Sequence, residues 1–402
     1  MDILQPIIKP YAWGSRDALA RLQGRDSPAA GPEAELWMGS HPAGPSGITR
    51  DGRQTTLQDV VADDPERELG VVCDHRFGGR LPFLLKILAA DQPLSIQVHP
   101  DREQARSGFA AQRTLTGHRA YVDDWPKPEL LHALTPFEVL AGFRSRAEAA
   151  EVYDALSVTA LRPVTAALHA GGGESALSEA LRTVLEWPSH GRESLVSAVV
   201  EASERLAAAQ GPHAAAYGAV VDMARHHPGD LGLVASLLLR HQVLAPGTTL
   251  FMPTGGLHAY VRGVGVELLA NSDNVLRAGL TTKEVNVPEL LRITDPAARV
   301  AVVAPRTLAG SGRTQTYDCP VEEFALYRTE LCASPESVVP SSGPRIVLCL
   351  DGTARLRKPD GEEVFLGSGA SCFLPATDQL VTACGDGTLF VAAPGIEAHQ
   401  TT

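Results

Sequence analysis

The chain of 402 residues changes character twice, and that sets its architecture. From the start to about residue 144, short apolar runs alternate with Pro and Gly, a strand-and-turn pattern. From about 145 to 240 the composition shifts to Ala, Leu and Glu at helical spacing. Ser145 and Glu148 stand at capping-box spacing at its head, and Gly171-Gly172-Gly173 and Pro188-Ser189-His190-Gly191 divide it into several helices. Past Pro246 the strand pattern returns. The order predicts a mainly β protein with an all-helical insertion.

Within the strand-rich parts, Thr55 and Gln58 have capping-box spacing for a helix through Val60 and Val61. Ile87 to Val98 reads as a buried strand pair around the turn Ala90-Asp91-Gln92-Pro93. Lys127 to Phe143 continues as strands. In the last third, Arg345 to Leu350, Thr353 to Arg357, Glu363 to Leu366, Ala370 to Leu374 and Leu389 to Ala393 alternate with Gly/Asp turns.

Hydrophobic content of 44% and charged content of 20% are ordinary for a globular protein of two or three domains. A formal charge of −12 with no Lys/Arg run argues against a nucleic-acid surface. None of the six cysteines forms a C-x-x-C pair, and most fall in the strand-rich last third, where a free Cys reads as a small buried hydrophobe. Met1 to Pro6 does not read as a signal peptide, and no segment reads as a membrane span. The expected setting is a reducing cytoplasm, without membrane or nucleic-acid partners, and the expected state is a monomer.

Three short segments carry chemistry: Gln97-Val98-His99-Pro100, Lys127-Pro128-Glu129-Leu130 and Gly255-Gly256-Leu257-His258-Ala259-Tyr260. Side chains alternate faces along a strand, so Gln97 and His99 would point the same way. With a distant Glu and a distant His they make a workable set for one divalent metal, zinc above all. The strand Gly247 to Pro253 followed by Gly-x-x-His suits a double-sheet jelly roll of the cupin type. Pro375 follows Cys372-Phe373-Leu374 much as Pro253 follows Phe251-Met252, but no Gly-x-x-His comes after it. That predicts a second, degenerate barrel without ligands. His41, His75, His118, His132, His169, His190, His213, His241 and His399 read as structural histidines. His226-His227 reads as a surface pair, because neighbours on a helix face different ways.

These segments resemble the type I mannose-6-phosphate isomerases (phosphomannose isomerases) of the cupin superfamily. The likeness extends to Tyr11-Ala12-Trp13-Gly14, to Ala34-Glu35-Leu36-Trp37-Met38-Gly39-Ser40-His41-Pro42, to LPFLLKILAADQPLSIQVHP (81–100) and to GVGVELLANSDNVLRAGLTTK (263–283). It covers about the first 145 residues and roughly 240 to 400. It implies two cupin-like jelly-roll β-barrels plus an all-α domain, with 1–144 and 241–317 forming the catalytic β domain, 145–240 the helical insertion and 318–402 the degenerate β domain. It implies one Zn²⁺ per chain held by Gln97, His99, Glu129 and His258. A neutral Gln ligand leaves the ion with net positive charge and stronger Lewis acidity.

The implied reaction interconverts mannose 6-phosphate and fructose 6-phosphate through a cis-enediol. It needs an electrophile, an acid/base and a phosphate anchor, and so a local basic pocket on an acidic protein. The resemblance makes Arg277 an active-site arginine, on phosphate or on the enediolate. Lys86 and Glu267, each set in an apolar strand, are acid/base candidates together with Lys127 and His99. Burial would lower the pKa of Lys86, and Glu267 could instead be a structural partner of Arg277 or Lys86. Ser95, Lys127 and Tyr260 are expected against the phosphosugar substrate, while Trp13 and Trp37 read as core. Arg277-Ala278-Gly279 departs from the family's commoner Arg-Gly-Gly, and Thr282 stands where Pro is common. Two competing readings are a metal cupin acting on another sugar phosphate and a non-catalytic sugar-phosphate sensor.

Overall fold

A computed structural model describes residues 1–112 and 120–396; His118 and His399 lie outside the described residues. The molecule is mostly β, with helices concentrated mid-chain. Among the described residues, one antiparallel sheet has 11 strands and a second has 10.

The first sheet is organised by one long strand, His258–Ala270. Its first half pairs with Ile96–Val98 and Phe137–Phe143, its second half with Phe83–Ala90 and Glu129–Ala133. It changes partners at a register shift between Tyr260 and Arg262, beside Gly263 at φ 141°. A Cβ on Gly263 would lie 2.7 Å from the Phe137 ring, so this corner admits only glycine. A single strand thus serves two leaflets, as strands do at the corners of packed sheets. The second sheet repeats the plan around Thr382–Ala393, with Gly385 and Gly387 at the bend.

Alternation then decides what each strand shows to each side. Ile96 and Val98, Leu257 and Ala259, and Leu276 and Ala278 all join the core of the helical region. Gln97, His258 and Arg277 therefore face the opposite way. On the other leaflet Leu36, Leu85, Ile87, Val266, Leu268 and Leu130 pack against Leu326, Ile346, Phe373 and Phe390 of the second sheet. Glu35, Trp37, Lys86, Glu267 and Glu129 are left facing inward.

Five helices, Arg146–Leu156, Arg162–His169, Glu174–Leu185, Ser189–Ala208 and Ala214–Ala224, fill the middle of the chain. The capping box at Ser145 and Glu148 is present in both directions. The earlier helix begins one residue later than expected: Thr56 caps Leu57–Asp63 by accepting from the Asp59 N–H, so Thr55 and Gln58 do not form its box. Phe83–Ala90 and Ile96–Val98 are not paired with each other; both border the long strand, on different halves. His226 and His227 sit in the turn after Ala214–Ala224, with His226 exposed and His227 half-buried. Of the C-terminal strands only the last is much longer than expected, and Ala325–Leu331 is an addition. Asp2–Ile3 pairs with Phe373 and Cys372, and Pro305–Thr307 and Thr314–Tyr317 also hydrogen-bond into the second sheet. All six cysteines are free. Among the described residues no helix is long and apolar enough to cross a membrane.

Candidate metal centre and active site

Two cross-strand rows build the site. In the first, Arg277 lies opposite Gln97 and Gln97 opposite His258. In the second, Glu267 lies opposite Lys86 and Lys86 opposite Trp37, while Glu129, opposite Leu269, stands one inward position along. Directly opposed residues project to the same face, so both rows converge on the interior.

His99, Glu129 and His258 are buried and meet at one point. His99 Nε2 is 3.3 Å from Glu129 Oε1, and His258 Nε2 is 3.2 Å from Glu129 Oε2. The other ring nitrogens are committed: His99 Nδ1 donates to the Asn274 carbonyl at 2.7 Å and His258 Nδ1 to the Gly256 carbonyl at 3.0 Å. A carbonyl only accepts, so the proton of each ring sits on Nδ1. Burial pushes the His99 imidazole down to about 3, which keeps it neutral and leaves Nε2 as a bare lone pair. Burial also works against an ionised Glu129, but its surroundings, with the Lys127 ammonium 3.2 Å away, hold it well below the usual carboxylate range. Lone pairs thus face lone pairs, and His99 Nε2 and Glu129 Oε2 are buried without hydrogen-bond partners. A divalent cation among them satisfies all of these atoms, and imidazole with carboxylate suits zinc. The Gln97 amide nitrogen lies 3.4 Å from His258 Nε2, and rotating the amide presents its oxygen to the same point.

Beside this centre lies a charged cluster. Lys86 Nζ is 3.0 Å from Glu267 Oε2 and 3.5 Å from Glu35 Oε1. The expected fall in the Lys86 pKa does not occur. Burial opposes its charge, but Glu267, Glu35 and Glu129 outweigh burial, and the ammonium is held above its ordinary range. Glu267 moves up, first through burial and then through Glu129 and Glu35, against the pull of Lys86. Its ion-pair partner is Lys86. Lys127 is buried with Nζ 3.2 Å from Glu129 Oε1. Arg277 is half-buried, with no ion pair among the described residues; burial lowers its pKa, and its charge lowers that of Lys283. Tyr260 is fully enclosed, donating to Met252 Sδ at 3.6 Å, and burial beside Glu267 pushes its pKa well up. Ser95 is half-buried just before Ile96–Val98.

Several neighbours carried no site expectation. Glu35 faces Lys86 and accepts from Trp37 Nε1 at 2.6 Å. Its period-two spacing from Trp37 was the available signal. His41, read as structural, is buried with Nε2 3.4 Å from Asp273 Oδ1 and its ring on Trp37. Asn274 acts through its backbone carbonyl, which no residue pattern marks.

Residues 1–146 match the family described as phosphomannose isomerase type I, catalytic domain, and residues 313–394 match the mannose-6-phosphate isomerase cupin domain. The chain is 36% identical to the mannose-6-phosphate isomerase of Salmonella typhimurium over 397 residues, 95% of this chain and 96% of that protein. It is 33% identical to that of Homo sapiens over 413 residues, 92% of this chain and 94% of that one. It superposes on a mutant of phosphomannose isomerase from Salmonella typhimurium with TM-score 0.86 at 33% identity, covering 98% and 99% of the two chains. A mannose 6-phosphate isomerase bound with zinc and yttrium superposes with TM-score 0.85 at 33% identity and the same coverage.

Proposed function

The chain belongs to the type I mannose-6-phosphate isomerases, and on that premise we propose that it interconverts mannose 6-phosphate and fructose 6-phosphate through a cis-enediol. We assign one zinc ion per chain to Gln97, His99, Glu129 and His258. The observation that carries the reading is the pair of bare imidazole nitrogens turned onto one ionised carboxylate, with Lys86, Lys127 and Arg277 around it. Bound there, zinc supplies Lewis acidity toward the substrate oxygens.

The chain's own groups supply the rest. Glu267, whose pKa is raised, removes the proton from C2 of the aldose and returns it to C1. The hydroxyl proton passes from O2 to O1, so that the aldehyde becomes an alcohol and C2 a ketone. Lys86 stays charged and keeps Glu267 ionised until the proton arrives. Arg277, with no carboxylate partner among the described residues, meets the anionic substrate, and we assign it to the developing enediolate. Lys127, Ser95 and Tyr260 line the phosphosugar side.

We also propose that each sheet is a cupin-like jelly roll. The first comprises 1–144 and 241–317, interrupted by an all-α domain at 145–240; the second, degenerate one is 318–402. The enzyme would work in the cytoplasm as a monomer, with light scattering giving the mass of one 42.6 kDa chain. A coupled assay across a panel of sugar phosphates tests the function. Turnover of mannose 6-phosphate well above the others is expected. Preference for another sugar phosphate would favour a metal cupin of different specificity, and binding without turnover a sensor.

A further inference from the structure

We infer that Asp123, which touches neither ligand nor substrate position, is a positioning residue for the metal centre. The inference rests on the zinc reading above.

The Asp123 carboxylate is the hub of a network joining two loops. Its Oδ1 accepts from Ser272 Oγ at 2.8 Å, from the Trp125 N–H at 2.9 Å and from Asn274 Nδ2 at 3.0 Å. Its Oδ2 accepts from the Asp273 N–H at 2.8 Å. Asn274 closes the network in return. Its Nδ2 donates to the Asp123 and Trp125 carbonyls, both at 2.9 Å, and its Oδ1 accepts from the Val122 N–H at 2.9 Å. Ser272 and Asn274 are wholly buried.

This zipper has two outputs. The Asn274 carbonyl accepts from His99 Nδ1 at 2.7 Å, which fixes the ring's tautomer and aims Nε2 at Glu129. On the other loop Trp125 is followed by Pro126, Lys127 and Pro128, a stiff lead into Glu129. One carboxylate therefore sets the approach of two ligand-bearing segments that are distant in sequence. Groups that orient a ligating histidine change metal affinity by about 10- to 100-fold when removed.

The geometry also says which change matters. Asp123→Asn keeps size and one acceptor oxygen, but sets an amide N–H against either the Asp273 N–H or the three donors at Oδ1. Ser272→Ala deletes one spoke and leaves the carboxylate in place. Glu148→Ala, which breaks the remote helix cap, serves as a stability control.

The experiment measures the zinc dissociation constant of the purified full chain by competition with a chromophoric chelator, alongside the melting temperature of each metal-free protein. Wild type should bind one zinc. Asp123→Asn should bind about 10- to 100-fold more weakly, Ser272→Ala less severely, and Glu148→Ala as wild type despite its lower melting temperature. Wild-type affinity in Asp123→Asn would overturn the inference while leaving the zinc site standing. If Asp123→Asn does not fold, unchanged affinity in Ser272→Ala overturns it. Equal weakening in Glu148→Ala would reduce the effect to general stability and overturn it too. Failure of wild type to bind zinc would remove both the inference and the reading beneath it.

Discussion

Lys86 and Glu267 oppose each other on neighbouring strands, so each sets the other's protonation. Lys86 pulls the Glu267 pKa down against burial. Replacing the ammonium by a neutral chain, as in Lys86→Met, leaves burial and the other carboxylates unopposed, so the Glu267 pKa must rise. The acid limb of the kcat/KM profile should then move to higher pH; an unmoved limb would detach Glu267 from proton transfer. Arg277→Lys tests the other charge. A residue stabilising the developing enediolate should show its loss mainly in turnover, on the order of 10²-fold, with a smaller effect on KM. A loss confined to KM would place Arg277 on the ground-state phosphate. At this scale the segments that bring His99, Glu129 and His258 together were legible, through strand alternation around Gln97 and His99 and through the family resemblance of the three segments. The state of Lys86 was not. Its sequence neighbours are apolar and predict a lowered pKa, whereas its spatial neighbours Glu35 and Glu267 come from strands far away in the chain.

Elements position these residues through close backbone contacts. The segment after Arg277 runs against the end of the helical block: a Cβ on Gly279 would lie 2.5 Å from Gly232 Cα, and Gly279 has φ 150°. Asp230 clasps both sides, accepting from the Gly232 N–H at 2.6 Å and the Thr281 N–H at 3.1 Å. Gly279→Ala should therefore cost about 1–3 kcal/mol of stability and lower turnover by displacing Arg277. Thermal unfolding and steady-state kinetics would show it, and a fully active, equally stable variant would exclude the clasp. The commoner glycine at position 278 has no such contact here, since Ala278 packs into the helical core. Strand and helix identity was readable from alternation and caps. Two local readings failed for physical reasons. Thr55 was expected as the cap, but the backbone is still extended at Thr56, and that residue's side chain reaches the Asp59 N–H instead. Two strands flanking one turn look like a hairpin until the long strand His258–Ala270 separates them.

Across the whole molecule, the outer face of the first sheet packs on the second sheet, and a buried imidazole sits in that seam. His132 Nδ1 is 2.8 Å from Thr249 Oγ1, and its ring lies against Tyr317 and Phe390 of the second sheet. Burial there pushes its pKa down to about 4 from the ordinary 6.5. The folded state therefore binds the proton less readily than the unfolded chain. The contribution of this group is intact above pH about 6.5 and is lost progressively as pH falls toward about 4, up to roughly 3 kcal/mol. Denaturant unfolding of His132→Gln across that window should show a shallower loss of stability than wild type; identical slopes would discount the seam. The two-sheet plan was legible from Pro253 and Pro375 closing similar strands, and from the absence of Gly-x-x-His after the second. How the sheets meet was not, because it depends on which outward faces remain apolar once both leaflets are formed. The most direct measurement of the central claim is a zinc titration of metal-free enzyme, following bound metal and mannose 6-phosphate turnover together. Both should rise in step and saturate at one zinc per chain, and His99→Ala should abolish both. Full turnover with no metal bound, or saturation of binding without any turnover, would contradict it.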